Sequence, residues 1–198
     1  MTDLDLEAEP IGGGAPAAKR RVVAYHLVTV DGIASSPEEF VTDFDADMEA
    51  HLAEVIARQD LVLLGRRTYD EWASYWPNHP QEPFGRFINA VAKEVVTSSP
   101  PQTPWAHTTF TSEEPAAAVN RLGLLGGGEI GVHGSLTLSH ELLARGLLDA
   151  LHLVIVPVLG GAGRRLFPDS VPTDLEMCSA EVSSSGALLV HYEVVHRR

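Results

Sequence analysis

Along the chain, nearly continuous apolar runs alternate with segments whose apolar residues recur every three or four positions, a pattern that predicts strands alternating with helices. The run VVAYHLVTV, from Val22, is apolar and β-branched almost throughout, as in a strand covered on both faces. It stops at DGIASSPEE, a cluster of turn and cap residues. DADMEAHLAEVIARQD then places Met48, Leu52, Val55, Ile56 and Gln59 on one helical face, with acids in the first turn and Arg58 in the last. LVLL predicts a second buried strand, RTYDEWASYW a short helix with Tyr69, Trp72 and Trp76 turned inward, FGRFINAVA a further helix and KEVVTSS a third strand. After the break PPQTPW, Ser112 is expected to cap a helix running through EEPAAAVNRL.

GEIGVHG reads as a strand and SLTLSHELLARG as a helix capped by Ser135 and ended by Gly146. LDALHLVIVPVL is a long buried strand, followed by the glycine-rich loop GGAGRRLFPDS. LEMCSAEV and ALLVHYEVV, joined by SSSG, predict an antiparallel hairpin. The sum is an α/β fold with a mostly parallel central sheet, a C-terminal antiparallel hairpin and helices on both faces. Residues 1–19, acidic and then Gly/Pro/Ala-rich without periodicity, read as a disordered tail, which leaves 20–198 as one domain.

Composition narrows the function. The formal charge of -13, with 14 Lys+Arg against 27 Asp+Glu, argues against nucleic acid as a partner, because phosphate neutralisation needs clustered bases. A single cysteine, Cys178, suits a reducing cytosol, and no apolar run approaches the roughly 20 residues that cross a bilayer, so a cytoplasmic protein without membrane contact is expected. In so acidic a chain, any anionic ligand needs a local positive site, which makes the arginine doublets informative. In LVLLGRRTYDEW, Gly65, Arg66, Arg67 and Thr68 stand where a buried strand hands over to a helix. That is how α/β proteins build anion sites, from free N–H groups, helix polarity and a guanidinium clamp. The alternative is a solvated helix start in which the arginines pair with Asp70 and Glu71.

VHGSLT repeats the strand-to-helix passage, with Gly134 and Ser135 placed to seat a pyrophosphate and His133 just before them. The G-x-G-x-x-G letters at Gly126, Gly128 and Gly131 precede a strand instead of opening a helix, so a dinucleotide fingerprint of that type is not supported. Asp43, Asp45, Asp47 and Glu54 have EF-hand spacing, but Met48 stands where that loop demands glycine, and the acids read as helix caps. The nine histidines show no paired ligand spacing, and no metal is expected. Asp31 follows an apolar strand and precedes Gly32, so its carboxylate is expected at the strand's mouth with a raised pKa; the alternative is a turn aspartate with Gly32 supplying a positive φ. Arg164 and Arg165 read as a surface loop, with a second anion site as the alternative.

TVDGIA, LVLLGRRTYDEW, EVVTSS and IGVHGSLTLSHELLARGLLDALHLVIVPVLGGAGRRLF resemble, in order and spacing, the dihydrofolate-reductase-like superfamily. The resemblance is closest to the C-terminal reductase domain of bacterial riboflavin biosynthesis (RibD) and its stand-alone relatives, and covers about Val22 to Val195. It implies a three-layer dihydrofolate-reductase-like fold that binds NADPH and passes hydride to a small heterocyclic substrate. That substrate class is typified by 5-amino-6-(5-phosphoribosylamino)uracil or dihydrofolate. Carried over by motif, Gly65, Arg66, Arg67 and Thr68 hold the 2′-phosphate and pyrophosphate. Thr97 and Ser98 flank the adenosine, Gly134 and Ser135 lie near pyrophosphate and nicotinamide, and Asp31 with Gly32 borders nicotinamide and substrate. Asp31 and His133 are the candidate catalytic groups, and a homodimer is implied by analogy. Two positions depart from the riboflavin reductases, both toward the substrate. Ile33 replaces a basic residue after Asp-Gly, and His133-Gly134-Ser135 replaces Glu-Gly-Gly. A non-catalytic NADPH- or ligand-binding module on the same fold is the alternative.

Overall fold

The structure, a computed structural model, describes residues 19–169 and 172–196, so the tail expected at 1–19 falls, but for Lys19, outside the described residues. The elements run β1 (Val22–Thr29), α1 (Ala46–Ile56), β2 (Gln59–Gly65), α2 (Arg66–Tyr75), α3 (Pro83–Ala90), β3 (Ala92–Val96) and β4 (Thr108–Thr111). They continue as α4 (Pro115–Gly123), β5 (Glu129–His133), α5 (Leu136–Ala144), β6 (Ala150–Val156), β7 (Leu175–Val182) and β8 (Leu188–Val194). The strands form one sheet in the order β4-β3-β2-β5-β1-β6-β8-β7. Every pairing from β4 to β6 is parallel, and β8 runs antiparallel to both β6 and β7.

Alternation along β1 explains the three layers. Val22 and Ala24 pack on one face against Val119 and Leu122 of α4 and Leu138 and Leu142 of α5. Val23 and Tyr25 face the other way, toward Met48, Leu52 and Val55 of α1. Further along that second face, Val62, Leu64 and Val95 meet Tyr69 and Ala73 of α2 and Ile88 of α3. Both faces of the parallel strands are therefore covered, which is why their sequences are apolar runs and not alternations.

Three local expectations are corrected. Thr108–Thr111 forms an edge strand beside β3 that has no apolar signature, since its outer side is exposed. The helix after Ser112 begins at Pro115, with Glu114 at its N-cap, because proline is preorganised for the first helical position. Gln59 opens β2 instead of closing α1. Asp45, by contrast, caps α1 as expected, accepting from Met48 N at 2.9 Å. Asp45 and Asp47 also accept from Ser185 N and Ser184 N, each at 2.8 Å, and so pin the hairpin turn to α1. On β7 and β8 the apolar side chains Leu175, Met177, Val182 and Leu188 are exposed, and the homodimer expectation concerns this surface.

Candidate functional site

At the carboxyl ends of the neighbouring strands β2 and β5 the chain diverges. β2 runs into α2 on one face of the sheet, and β5 runs into α5 on the other. Such a divergence opens a crevice onto which both helix N-termini face. Neither helix carries an acid in its first turn, so the partial positive charge of each end is left uncompensated. Ser135 holds the two together. Its Oγ accepts from Gly65 N at 3.0 Å and donates to Thr68 Oγ1 at 2.9 Å. That corrects one expectation, because Ser135 occupies the N-cap of α5 without capping its own helix through the side chain. Gly134, at φ +66, sits against α2. A Cβ there would lie 2.7 Å from Trp72 Cζ2 and 3.1 Å from Thr68 Cγ2.

The two arginines divide. Arg66 reaches across to the end of β3, donating to Ser99 O at 2.7 Å and Ser99 Oγ at 3.2 Å while pairing with Asp70. Thr97 Oγ1 also donates to Ser99 O, at 2.7 Å, and Ser98 is exposed beside them. Arg67 pairs with Glu71 at 3.2 Å, but its side chain is 72% exposed and borders the cleft. Both pairings foreseen in the solvated-helix alternative are thus made. Exposed i,i+4 pairs contribute only about 0.3–0.5 kcal/mol, so an incoming phosphate easily outcompetes them.

The crevice continues into a cleft of 820 Å³. Tyr25, Leu27 and His133 lie on its strand side, Leu52 and Ile56 of α1 form one wall, and Trp72, Trp76 and Phe84 form the other. Arg67 and Arg164 lie at its edges with Glu38, Glu49, Glu71 and Glu82. Arg164 is exposed in a loop, as read from the sequence, and also borders the cleft. Trp72 and Trp76 were expected inward and do pack edge-on against Phe84, but that packed group is also a wall. Two polar atoms on this lining are buried with no hydrogen-bond partner among the described residues, Tyr25 Oη and Trp76 Nε1. Nothing in the sequence marked Tyr25 except that it is the one phenol inside the apolar run of β1.

Asp31 does not behave as expected. Its carboxylate accepts from Thr29 Oγ1 at 2.5 Å, Gly160 N at 2.8 Å and Gly161 N at 2.9 Å, clasping the loop after β6. The Thr29 hydroxyl, followed by the two backbone N–H groups, lowers its pKa to about 2 instead of raising it. Asp31 is ionised, fully engaged and outside the cleft lining.

His133 lines the cleft, yet it is buried, and its Nε2 lies 2.7 Å from Gln59 Oε1. A carbonyl oxygen only accepts, so Nε2 carries the proton. Burial pushes its pKa down to about 3, assisted by His26. His26, held by Ser139 Oγ at 2.7 Å, falls to about 4 by burial, and His152 falls to about 3 by burial and then by neighbouring His191. All three are neutral in the fold and titrate near 6.5 when unfolded, so the unfolded state binds more protons below that pH. Stability is therefore complete above about pH 6.5 and is lost as pH falls toward 4 and 3. We expect urea midpoints to decline from pH 6.5 to 4.5, and the decline to shrink in a His26→Gln variant. A flat profile over that range contradicts buried neutral imidazoles.

Residues 20–189 match the family model described as the RibD C-terminal domain. The chain is 25% identical over 179 residues to the uncharacterized protein YyaP of Bacillus subtilis (strain 168), covering 88% of this chain and 95% of that one. Among solved structures it is similar to a putative riboflavin biosynthesis protein from Shewanella sp. PV-4, with TM-score 0.72, 16% identity and coverage of 89% and 99% of the two chains. A pyrimidine reductase-like protein from Corynebacterium diphtheriae gives TM-score 0.64 at 17% identity, over 90% of this chain and 93% of that one. The diaminohydroxyphosphoribosylaminopyrimidine deaminase/5-amino-6-(5-phosphoribosylamino)uracil reductase of Thermotoga maritima gives TM-score 0.64 at 16% identity, with 89% of this chain covering 57% of that longer one.

Proposed function

The chain belongs to the RibD C-terminal domain family, and on that footing we propose that it is a pyrimidine reductase-like oxidoreductase that uses NADPH to reduce a small heterocyclic substrate. The observation that carries this reading is the pair of acid-free helix N-termini, α2 and α5, opening on one cleft with Arg67 at its edge. A dinucleotide fits these residues. The backbone N–H groups of the two helix starts take its pyrophosphate, Gly134 lets the start of α5 pack closely on Trp72 and Thr68 of α2, and Arg67, with Arg66 beside it, takes the 2′-phosphate. Bound there, the reduced nicotinamide supplies a hydride. The protein's own part is to hold the reactants about 3–3.5 Å apart and to exclude water, and the Trp72, Trp76 and Phe84 wall serves both ends.

The proton donor is reassigned. Asp31 is ionised and committed to the loop, and His133 donates its only proton to Gln59. Tyr25 remains, a hydroxyl on the cleft lining with no partner and a pKa raised by burial, so it stays protonated at neutral pH. Because neither Asp31 nor His133 is free to donate, a second reading stands beside the first: a module that binds NADPH without turning it over. Mixing the protein with NADPH and pyrimidine or pterin substrates, while following nicotinamide absorbance and cofactor binding in parallel, separates the two. Binding with substrate-dependent absorbance loss supports the reductase, binding with no loss supports the module, and no binding removes both.

A further inference from the structure

Away from the cleft, on the C-terminal hairpin, three groups with metal-binding chemistry converge. Cys178, His191 and Glu193 each bring a donor atom to within 4.8 Å of the others. Their meeting is a product of strand irregularity. β7 pairs Met177 with Tyr192 and then Ser179 with His191, so Cys178 is the inserted residue of a β-bulge. A bulge re-aims the side chain it carries, and here it turns the chain's single cysteine toward the face that bears His191 and Glu193. The cluster is inconspicuous in the sequence, because its thiol comes from a different strand than the histidine and glutamate.

Several observations indicate that this is a site for a cation. His191 Nε2 is buried and makes no hydrogen bond among the described residues, although it lies 3.4 Å from Glu193 Oε1. That spacing suits chelation. Two donors each about 2.0–2.1 Å from a tetrahedral ion stand roughly 3.3–3.4 Å apart. Glu176 pairs directly with Glu193 across the strands, which sets two carboxylates on one face, of which Arg21 neutralises one. Arg21 holds the Glu193 carboxylate at 2.6 and 2.8 Å, orienting it as the outer partners of metal ligands commonly do. His191 and Glu193 also border a 220 Å³ pocket, which leaves room for water as a further ligand.

We propose that Cys178 Sγ, His191 Nε2 and the Glu193 carboxylate form a binding site for a divalent ion of the zinc type, fixing the β7–β8 edge. The mixed sulfur, nitrogen and oxygen set suits Zn²⁺ better than magnesium or calcium, which take oxygen ligands. On binding, the thiol proton passes to solvent and the S–Zn bond replaces S–H. The thiolate and carboxylate charges offset the dication, with the Arg21 guanidinium left as a positive charge beside the site.

Because Cys178 is the lone cysteine, thiol reactivity reports on this site alone. The full chain, reduced and metal-free, is treated with a chromogenic disulfide reagent, with and without zinc chloride. We expect zinc to slow the reaction at least about tenfold, and His191→Ala or Glu193→Gln to remove that protection. Cobalt(II) is expected to give a thiolate charge-transfer band that is absent in Cys178→Ser. Glu193→Gln guards against a His191 variant that disturbs the stacked His152 ring. Equal reactivity with and without zinc overturns the proposal, as does protection that survives both substitutions.

Discussion

Replacing Arg66 and Arg67 together by alanine is expected to weaken NADPH by about 2–4 kcal/mol, on the order of 30- to 700-fold, while NADH changes far less. The estimate starts from charge-assisted hydrogen bonds of about 1.5–3 kcal/mol each, less the weak i,i+4 pairs that both arginines give up on binding. The single variants are expected to separate. Arg67 borders the cleft and is largely exposed, so Arg67→Ala should carry most of the discrimination between the two cofactors. Arg66 holds Ser99 O and Oγ, so Arg66→Ala should also loosen residues 97–99 and weaken NADH to a measurable degree. Titrations of both cofactors against the three variants, at two salt concentrations, test this. Equal losses for NADPH and NADH in Arg67→Ala remove the 2′-phosphate assignment.

The fold was legible wherever burial on both faces forces an apolar run. β1, β2, β5 and β6 announce themselves in this way, and the hairpin does so through SSSG, with Gly186 at φ +87. β4 was not legible, because TTFT is an exposed edge whose only instruction is the parallel ladder offered by β3. For the site, local chemistry located the two strand-to-helix passages. What joins them, Ser135 Oγ between Gly65 and Thr68, is a contact across some 70 residues. Asp31 shows the limit most clearly. A carboxylate after an apolar strand reads as desolvated, and desolvation raises a carboxyl pKa. Its actual environment is set first by the Thr29 hydroxyl, two residues before it, and then by the N–H groups of Gly160 and Gly161, about 130 residues further along, which together reverse the sign. The inward turn of Trp72 and Trp76 was legible in helical spacing, but that spacing does not show whether the space they meet is filled.

Gly134→Ala is expected to have a large effect for a single added methyl in the cleft. Two penalties combine there. At φ +66 an alanine pays roughly 1–2 kcal/mol for the left-handed conformation. Its Cβ would also stand 2.7 Å from Trp72 Cζ2, closer than such contacts occur, with Thr68 Cγ2 at 3.1 Å on the same side. Trp72 is packed edge-on against Trp76 and Phe84 at ring separations of 6.2 and 5.5 Å, so the side open to it is the cleft. Displacing it pushes that wall into the cleft, and shifting Thr68 breaks its bond with Ser135, which spaces the two helix N-termini. We expect a stability loss of about 2–4 kcal/mol, lowering the melting temperature by roughly 4–16 °C, together with a loss of dinucleotide binding beyond what the melting shift explains. Gly126→Ala is the control, since a Cβ there meets nothing within 4 Å and the backbone is not left-handed. A Gly134→Ala protein that melts and binds like the parent would show that the Trp72 wall gives way and that the spacing of the two helix N-termini does not depend on Gly134.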